Sequence, residues 1–262
     1  MRLRPAVLVT ATAFMAVTAC GGDQGEPTTS LETPTTTTTT TMTTSTAISS
    51  TTVNGVSTTT QSDTTTTGSG GLPGDSIDFG PAADDVLAVI GVAHDDVLNL
   101  RAAPGADQGI LSGIPPLHTE LVALGHTREL PRSFWIEVDY QGTTGWVNLS
   151  FVGYLGDTFD ATSAVVDELG DRPSAPTMLE LGESVARVLA SDEPPSELVV
   201  TVAPRDGDPA EVTIDVIGLG DDAVRGMRAH VFGSRGDGGF VLDTVEVTSL
   251  CGRGVTDDGA CT

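Results

Sequence analysis

Residues 28–69 are dominated by hydroxyl side chains, since threonine and serine supply 29 of these 42 positions. A segment of this kind has too few large apolar side chains to offset the conformational entropy lost on folding. We therefore predict that residues 20–83 form a disordered linker, which acts as a spacer without specific binding of its own. Of the 262 residues in the chain, about 180 are left to build a folded part.

The charge balance is strongly acidic. The chain holds 36 aspartates and glutamates against 12 arginines, it has no lysine, and its net charge is −24. Contact with phosphate groups requires clustered positive charge. This composition excludes a nucleic-acid binder, and it excludes a protein that binds anionic lipid through a basic face.

The first nineteen residues have the features of an export signal. Arg2 and Arg4 precede an uncharged apolar stretch that is too short to span a bilayer. The following run, Val17-Thr18-Ala19-Cys20, resembles a bacterial lipobox. This resemblance implies a lipoprotein signal peptide over residues 1–19, lipid on the sulfur of Cys20, and an extracytoplasmic protein anchored to the cell membrane by that lipid. The alternative is an ordinary secretory signal with an incidental cysteine.

Between residues 86 and 149 the pattern changes to short apolar runs separated by glycine and proline, which is typical of strands. Five strands are predicted, over residues 86–92, 97–101, 120–124, 135–140 and 145–149. Four motifs in this region resemble, in order, the signatures of the bacterial SH3-like family: Leu98–Pro104, Ile110–Ile114, Trp135–Val138 and Gly142–Val147. The resemblance covers residues 86–155. It implies a small SH3-like β-barrel over residues 84–155 that binds cell-wall peptide or targets the protein to the wall.

Aromatic side chains are the candidate ligand-binding residues of this region, because their faces suit stacking on glycan or peptide. They are Trp135, Tyr140, Trp146 and Tyr154. Packing inside the barrel is the alternative role for Trp146. Residues 84–154 hold nine acidic and three basic side chains, so anionic wall polymers would be repelled at low salt. Recognition would have to use neutral sugar or peptide groups, or basic groups of a partner protein.

Residues 156–262 carry no motif by which we recognise a family, and we predict an α+β domain there. Helices are expected over residues 160–169 and 177–191, the second with a capping box formed by Thr177 and Glu180. Four strands of an antiparallel sheet are expected over residues 198–203, 211–218, 228–233 and 240–250. The predicted fold class is thus mixed: a disordered linker, a small all-β barrel, and an α+β domain with a four-stranded antiparallel sheet.

Two cysteines remain after Cys20. Cys251 and Cys261 are close in sequence on an exported chain, which favours a disulfide between them. A two-cysteine metal site is the alternative.

The sequence shows no catalytic constellation. The four histidines lack metal-ligand spacing, and paired aspartates such as Asp221 with Asp222 lack the series of oxygen ligands that a calcium loop needs. We therefore expect no cofactor, no metal and no catalysis, in a lipid-anchored envelope protein that binds wall peptide or a partner protein. Two alternatives stay open: an enzyme with catalysis in the C-terminal region, and a structural adaptor without a specific ligand.

Overall fold

A computed structural model describes residues 71–262. The predictions for the signal peptide, for Cys20 and for the linker up to residue 70 lie outside these described residues. All described residues belong to the same compact unit of the chain. Neither of their two helices is long and apolar enough to cross a bilayer.

Strands make up most of the described residues. The first part of the chain forms β1 (Asp75–Ile77), β2 (Ala83–Val89), β3 (Leu98–Arg101), β4 (Ile110–Ile114), β5 (Leu121–Leu130), β6 (Ser133–Tyr140) and β7 (Thr143–Asn148). A 3-10 turn (Leu149–Phe151) then leads into β8 (Val152–Asp160), α1 (Thr162–Leu169), β9 (Ser174–Ala175) and α2 (Met178–Leu189). The last strands are β10 (Glu197–Arg205), β11 (Ala210–Ile217), β12 (Val224–Gly236) and β13 (Gly239–Cys251).

The thirteen strands of the described residues form one antiparallel sheet. Their order is β10-β11-β12-β13-β8-β2-β5-β6-β7-β3-β4, with β1 beside β5 and β9 beside β13. β8 makes the sheet continuous, because Val152 and Gly153 pair with β2 whereas residues 154–160 pair with β13. The predicted fold class, a small SH3-like barrel followed by an α+β domain with its own four-stranded sheet, is therefore wrong.

The boundary predicted between the barrel and the α+β domain, at residues 155 and 156, falls inside β8. The local sequence there, Gly156-Asp157, favours such a boundary. A glycine followed by an aspartate is typical of a turn, yet Gly156 lies within β8. A Cβ at this position would stand 2.8 Å from the carbonyl oxygen of Gly259 and 3.0 Å from Sγ of Cys251. The glycine therefore permits a close approach of residues 251 and 259 to β8.

The prediction of a disordered linker over residues 20–83 is wrong for its last residues. β1 lies within this range and pairs with β5.

Two apolar cores lie along this sheet. The first core is enclosed by β2 to β8 and includes Leu87, Leu100, Leu121, Ile136 and Val147. The second core lies between the helices and β11 to β13, and includes Met178, Leu181, Val185, Ile214 and Val247.

The start of α2 follows from its sequence. Thr177 Oγ1 accepts a hydrogen bond from the backbone N–H of Glu180, and Glu180 Oε2 accepts one from the backbone N–H of Thr177, both at 3.2 Å. The predicted capping box is confirmed. It satisfies two backbone donors that a helix start leaves without partners, and it sets the helix so that its apolar residues face the second core.

A buried ion pair ties the two halves of the sheet together. Arg228 on β12 binds Asp215 on β11 through two contacts, Nε to Oδ1 at 2.7 Å and Nη2 to Oδ2 at 2.9 Å. The carboxylate also accepts a hydrogen bond from the backbone N–H of Gly91 at 2.9 Å, and the guanidinium donates to the carbonyl of Val89 at 3.0 Å. The Asp215 side chain is 0% exposed and that of Arg228 11%. The pair therefore holds the end of β2 against the C-terminal strands.

The two edges of the sheet differ in their protection. β10 contains Pro204 and two register irregularities, and the carbonyl of Val200 accepts a hydrogen bond from the N–H of His94 at 2.9 Å. β4 has no charged residue and no proline, has one register irregularity against β3, exposes Ile110 and Leu111, and pairs only with β3 among the described strands. Natural sheets usually protect an edge by charge, proline or a bulge. β4 is thus the less protected edge of this sheet.

Candidate functional site

A cleft of about 370 Å³ lies between β3, β6 and β7 on one side and β10 on the other. We call it the Trp135 cleft. It combines polar side chains with an apolar wall, and its main lining residues are Asp96, Asn99, Arg101, Trp135, Asn148 and Glu197 together with Val97, Phe151 and Val199.

Local hydrogen bonds fix three polar side chains of the cleft. Asp96 Oδ1 accepts from the next backbone N–H at 2.7 Å, and Arg101 Nη1 donates to the carbonyl of Gln108 at 2.6 Å. Asn148 Oδ1 accepts from the backbone N–H of Ser150 at 2.9 Å and so caps the 3-10 turn. Each bond uses one polar atom of the side chain and fixes the position of its carboxylate, guanidinium or amide group at the cleft.

Trp135 forms a wall of the cleft and does not project into solvent. It lies on β6 opposite Asn148 of β7 and Arg128 of β5, and it is 4% exposed. Its indole N–H donates to Ser133 Oγ at 3.0 Å. A ligand in the cleft would therefore meet part of the ring without a free indole donor.

The structure does not bring the other three predicted aromatic residues to this cleft. Tyr140 contacts the ring of His118 edge-on, with centroids 4.9 Å apart, and Trp146 is buried. Tyr154 is buried in the first core, where its hydroxyl donates to Asp85 Oδ2 at 2.5 Å. Burial, together with this contact to Asp85, raises the pKa of the Tyr154 hydroxyl. Of the four candidates, Trp135 alone lines the cleft.

Sequence reasoning missed several residues of the cleft. In the run Leu98-Asn99-Leu100-Arg101, strand alternation places the two leucines in the core and turns Asn99 and Arg101 to the other face. That signal was available in the sequence. Glu197 carries no such local signal, because its place beside the cleft depends on the pairing of distant strands.

The predicted disulfide is present. Cys251 at the end of β13 is bonded to Cys261, with Cα atoms 5.1 Å apart. Cys251 is fully buried and belongs to the first core, against which Cys261 packs. The disulfide therefore fixes the chain end to the core formed by the N-terminal strands.

A second cavity, of about 430 Å³, lies on the face of the sheet opposite the helices. His230 Nε2 and Arg205 Nη1 each contact one carboxylate oxygen of Glu211 at 3.0 Å. Glu246 stands across from His230 on the neighbouring strand. Residues 71–262 contain no group of three or more histidine, cysteine, aspartate or glutamate side chains that could hold a metal ion.

Comparison with protein families identifies part of the chain. Residues 96–154 match the model of the bacterial SH3 domain. This segment is SH3-like. The match confirms the predicted resemblance over residues 96–154, within the predicted range of 86–155. Most of the Trp135 cleft lies within this SH3-like segment. No curated protein and no solved structure matches the chain.

Proposed function

We propose that this is a non-catalytic protein of the bacterial cell envelope whose SH3-like segment binds cell-wall peptide in the Trp135 cleft. The observation that carries the proposal is the position of the cleft, since Asn99, Arg101, Trp135 and Asn148 all belong to the segment that matches the family. Sites for small ligands commonly combine an apolar lining with a few placed polar groups. Amide and guanidinium groups beside Phe151 fit the alternating polar and apolar groups of a short peptide.

The charge of the protein further restricts the classes of ligand that the cleft can bind. With a net charge of −24, the protein would repel phosphate-rich or carboxylate-rich wall polymers at low salt. Peptide amides, neutral sugars and basic groups remain favourable. A partner protein with basic side chains is the alternative ligand of the cleft.

Replacing Phe151 by alanine tests the cleft directly. Phe151 lines the cleft and is 40% exposed, so losing its ring should weaken retention on purified peptidoglycan about threefold to tenfold. The measurement is co-sedimentation of the full-length protein with insoluble peptidoglycan over a range of protein concentrations. Phe159→Ala is the matched control, because Phe159 is 41% exposed but lies on β8 outside the cleft.

Two results would contradict this proposal. An equal loss for Phe151→Ala and Phe159→Ala would show that the cleft is not the binding site. Failure of the wild-type protein to sediment at any salt concentration would rule out wall binding and favour a basic partner protein.

We further propose that lipid on Cys20 holds the protein at the outer face of the cell membrane. Stable anchoring requires two acyl chains, because a single chain binds membranes only marginally. The Cys20→Ser variant should be released into the medium or remain unprocessed, as measured by cell fractionation and intact mass. Thr28→Ser serves as a control in the same region. Unchanged membrane retention and an unchanged mass of the Cys20→Ser variant would contradict the anchor.

Catalysis in the second cavity is the alternative function. It is supported by the polar and charged side chains that line this cavity together: Arg205, Glu211, His230 and Glu246. The test is incubation of the full-length protein with purified peptidoglycan, followed by measurement of the soluble fragments. Release that is lost in the Glu246→Gln variant would support an enzyme and contradict the non-catalytic proposal.

A further inference from the structure

We propose that the Trp135 cleft selects ligands that carry a free, positively charged amine, and that Glu197 of β10 is the residue that sets this preference. This inference rests on the proposed function, because it concerns the ligand of the same cleft. Recognition of an amine is nevertheless a separate claim from wall binding, since wall peptide could bind through its amides alone.

The cleft is composite. The SH3-like segment supplies Asp96, Asn99 and Trp135, whereas Glu197 and Val199 come from β10, about 40 residues beyond the end of the family match. β10 is held beside the start of the segment because the N–H of His94, two residues before the segment, donates to the carbonyl of Val200 at 2.9 Å. A residue outside the SH3-like segment therefore takes part in its cleft, and it gives this cleft a property that the segment alone would lack.

That property is negative charge. The charged side chains at the cleft are Asp96, Glu197 and Arg101, so carboxylates outnumber cations. Arg101 already donates to the carbonyl of Gln108 at 2.6 Å. Within residues 71–262 neither Asp96 nor Glu197 forms an ion pair. No described cation therefore pairs directly with either carboxylate, and the positive charge of Arg101 offsets only one of the two, so the cleft keeps a net negative charge.

An ammonium group is the ligand chemistry that fits these carboxylates. It carries one positive charge and three donors, and the acidic surface around the cleft would raise its local concentration. Asn99 and Asn148 can bind the peptide group next to the amine, while Phe151 and Val199 cover its apolar part. The ligand class is therefore a short peptide with a free amino terminus or a free side-chain amine.

The experiment compares native peptidoglycan with peptidoglycan whose free amines have been acetylated, a reaction that converts each ammonium into a neutral amide. Co-sedimentation of the full-length protein is measured on both materials, for the wild type, Glu197→Gln, Asp96→Asn/Glu197→Gln and Glu168→Gln. The asparagine keeps an oxygen for the contact that Asp96 makes with the backbone. Glu168 is the matched control, because it is exposed on α1 and the same charge is removed outside the cleft.

We expect the wild type to bind native peptidoglycan more tightly than acetylated peptidoglycan, and to lose this advantage at high salt. Since exposed charge pairs contribute up to about 1 kcal/mol, Glu197→Gln should weaken binding to the native material about threefold and the double variant about tenfold. Glu168→Gln should bind like the wild type.

Three other outcomes would overturn the inference, and they separate it from the proposed function. Equal wild-type binding to both materials would leave wall binding intact but contradict recognition of the amine. An effect of acetylation with no difference between Glu197→Gln and Glu168→Gln would show that Glu197 does not set the preference. Absence of binding to either material would contradict the proposed function, and the inference with it.

Discussion

Replacing Arg228 by alanine is expected to lower the free energy of unfolding by about 3–5 kcal/mol. The variant leaves the carboxylate of Asp215, whose side chain is 0% exposed, in the protein interior without its counter-charge. It also removes the hydrogen bond to the carbonyl of Val89. Domains of this size are commonly stable by only 5–15 kcal/mol, so a large share of the total would be lost. The measurement is urea unfolding, followed both by tryptophan fluorescence and by circular dichroism.

The Arg187→Ala variant is the control for this prediction. Arg187 on α2 forms an ion pair with Glu183 at 2.7 Å, but its side chain is 63% exposed. Surface pairs contribute about 1 kcal/mol or less, so this variant should unfold nearly as the wild type does. Equal losses for Arg228→Ala and Arg187→Ala would contradict the structural role given to the buried pair.

Removing the disulfide has the second largest expected effect. In the chain-entropy model, a link that closes a short loop stabilises the folded state by about 3 kcal/mol. The double variant Cys251→Ala/Cys261→Ala should therefore lose about this much free energy of unfolding in urea. The wild type in the presence of reductant is the control, because it keeps both sulfur atoms in the first core and loses only the covalent bond.

Agreement between the double variant and the reduced wild type would assign the loss to the bond itself. A larger loss in the double variant would assign the excess to the packing of Cys251, which is fully buried. If alkylation without reductant labels both thiols of the wild type, the disulfide does not form and the prediction fails.

Local patterns in the sequence placed most elements of this fold. The side chains of Thr177 and Glu180 mark the start of α2, and the spacing of Met178, Leu181 and Val185 shows the face that it buries. The four strands predicted after α2 overlap β10 to β13. These features depend on residues within one or two turns of each other, which is the range over which patterning is informative.

The arrangement of the elements was beyond such patterns. The continuity of the sheet depends on β8, which changes partner between Gly153 and Tyr154. The two halves are also joined by the hydrogen bond between the backbone N–H of Gly91 and the carboxylate of Asp215, which are 124 residues apart. The same limit applies to the Trp135 cleft, since Glu197 reaches it only through this long-range arrangement. Alternation on β6 puts Trp135 and Ile136 on opposite faces of the strand, yet both are buried, because Ile136 belongs to the first core and Trp135 forms a wall of the cleft.

The unequal edges of the sheet have a consequence for the colloidal behaviour of the protein. Ile110 and Leu111 on β4 offer open backbone groups and apolar side chains to another molecule, the usual starting point for self-association through strand pairing. Opposing this, the net charge of −24 makes the molecules repel one another. Because dissolved ions shorten the range of that repulsion, concentrated solutions should stay monodisperse at low ionic strength and begin to form oligomers as ionic strength rises.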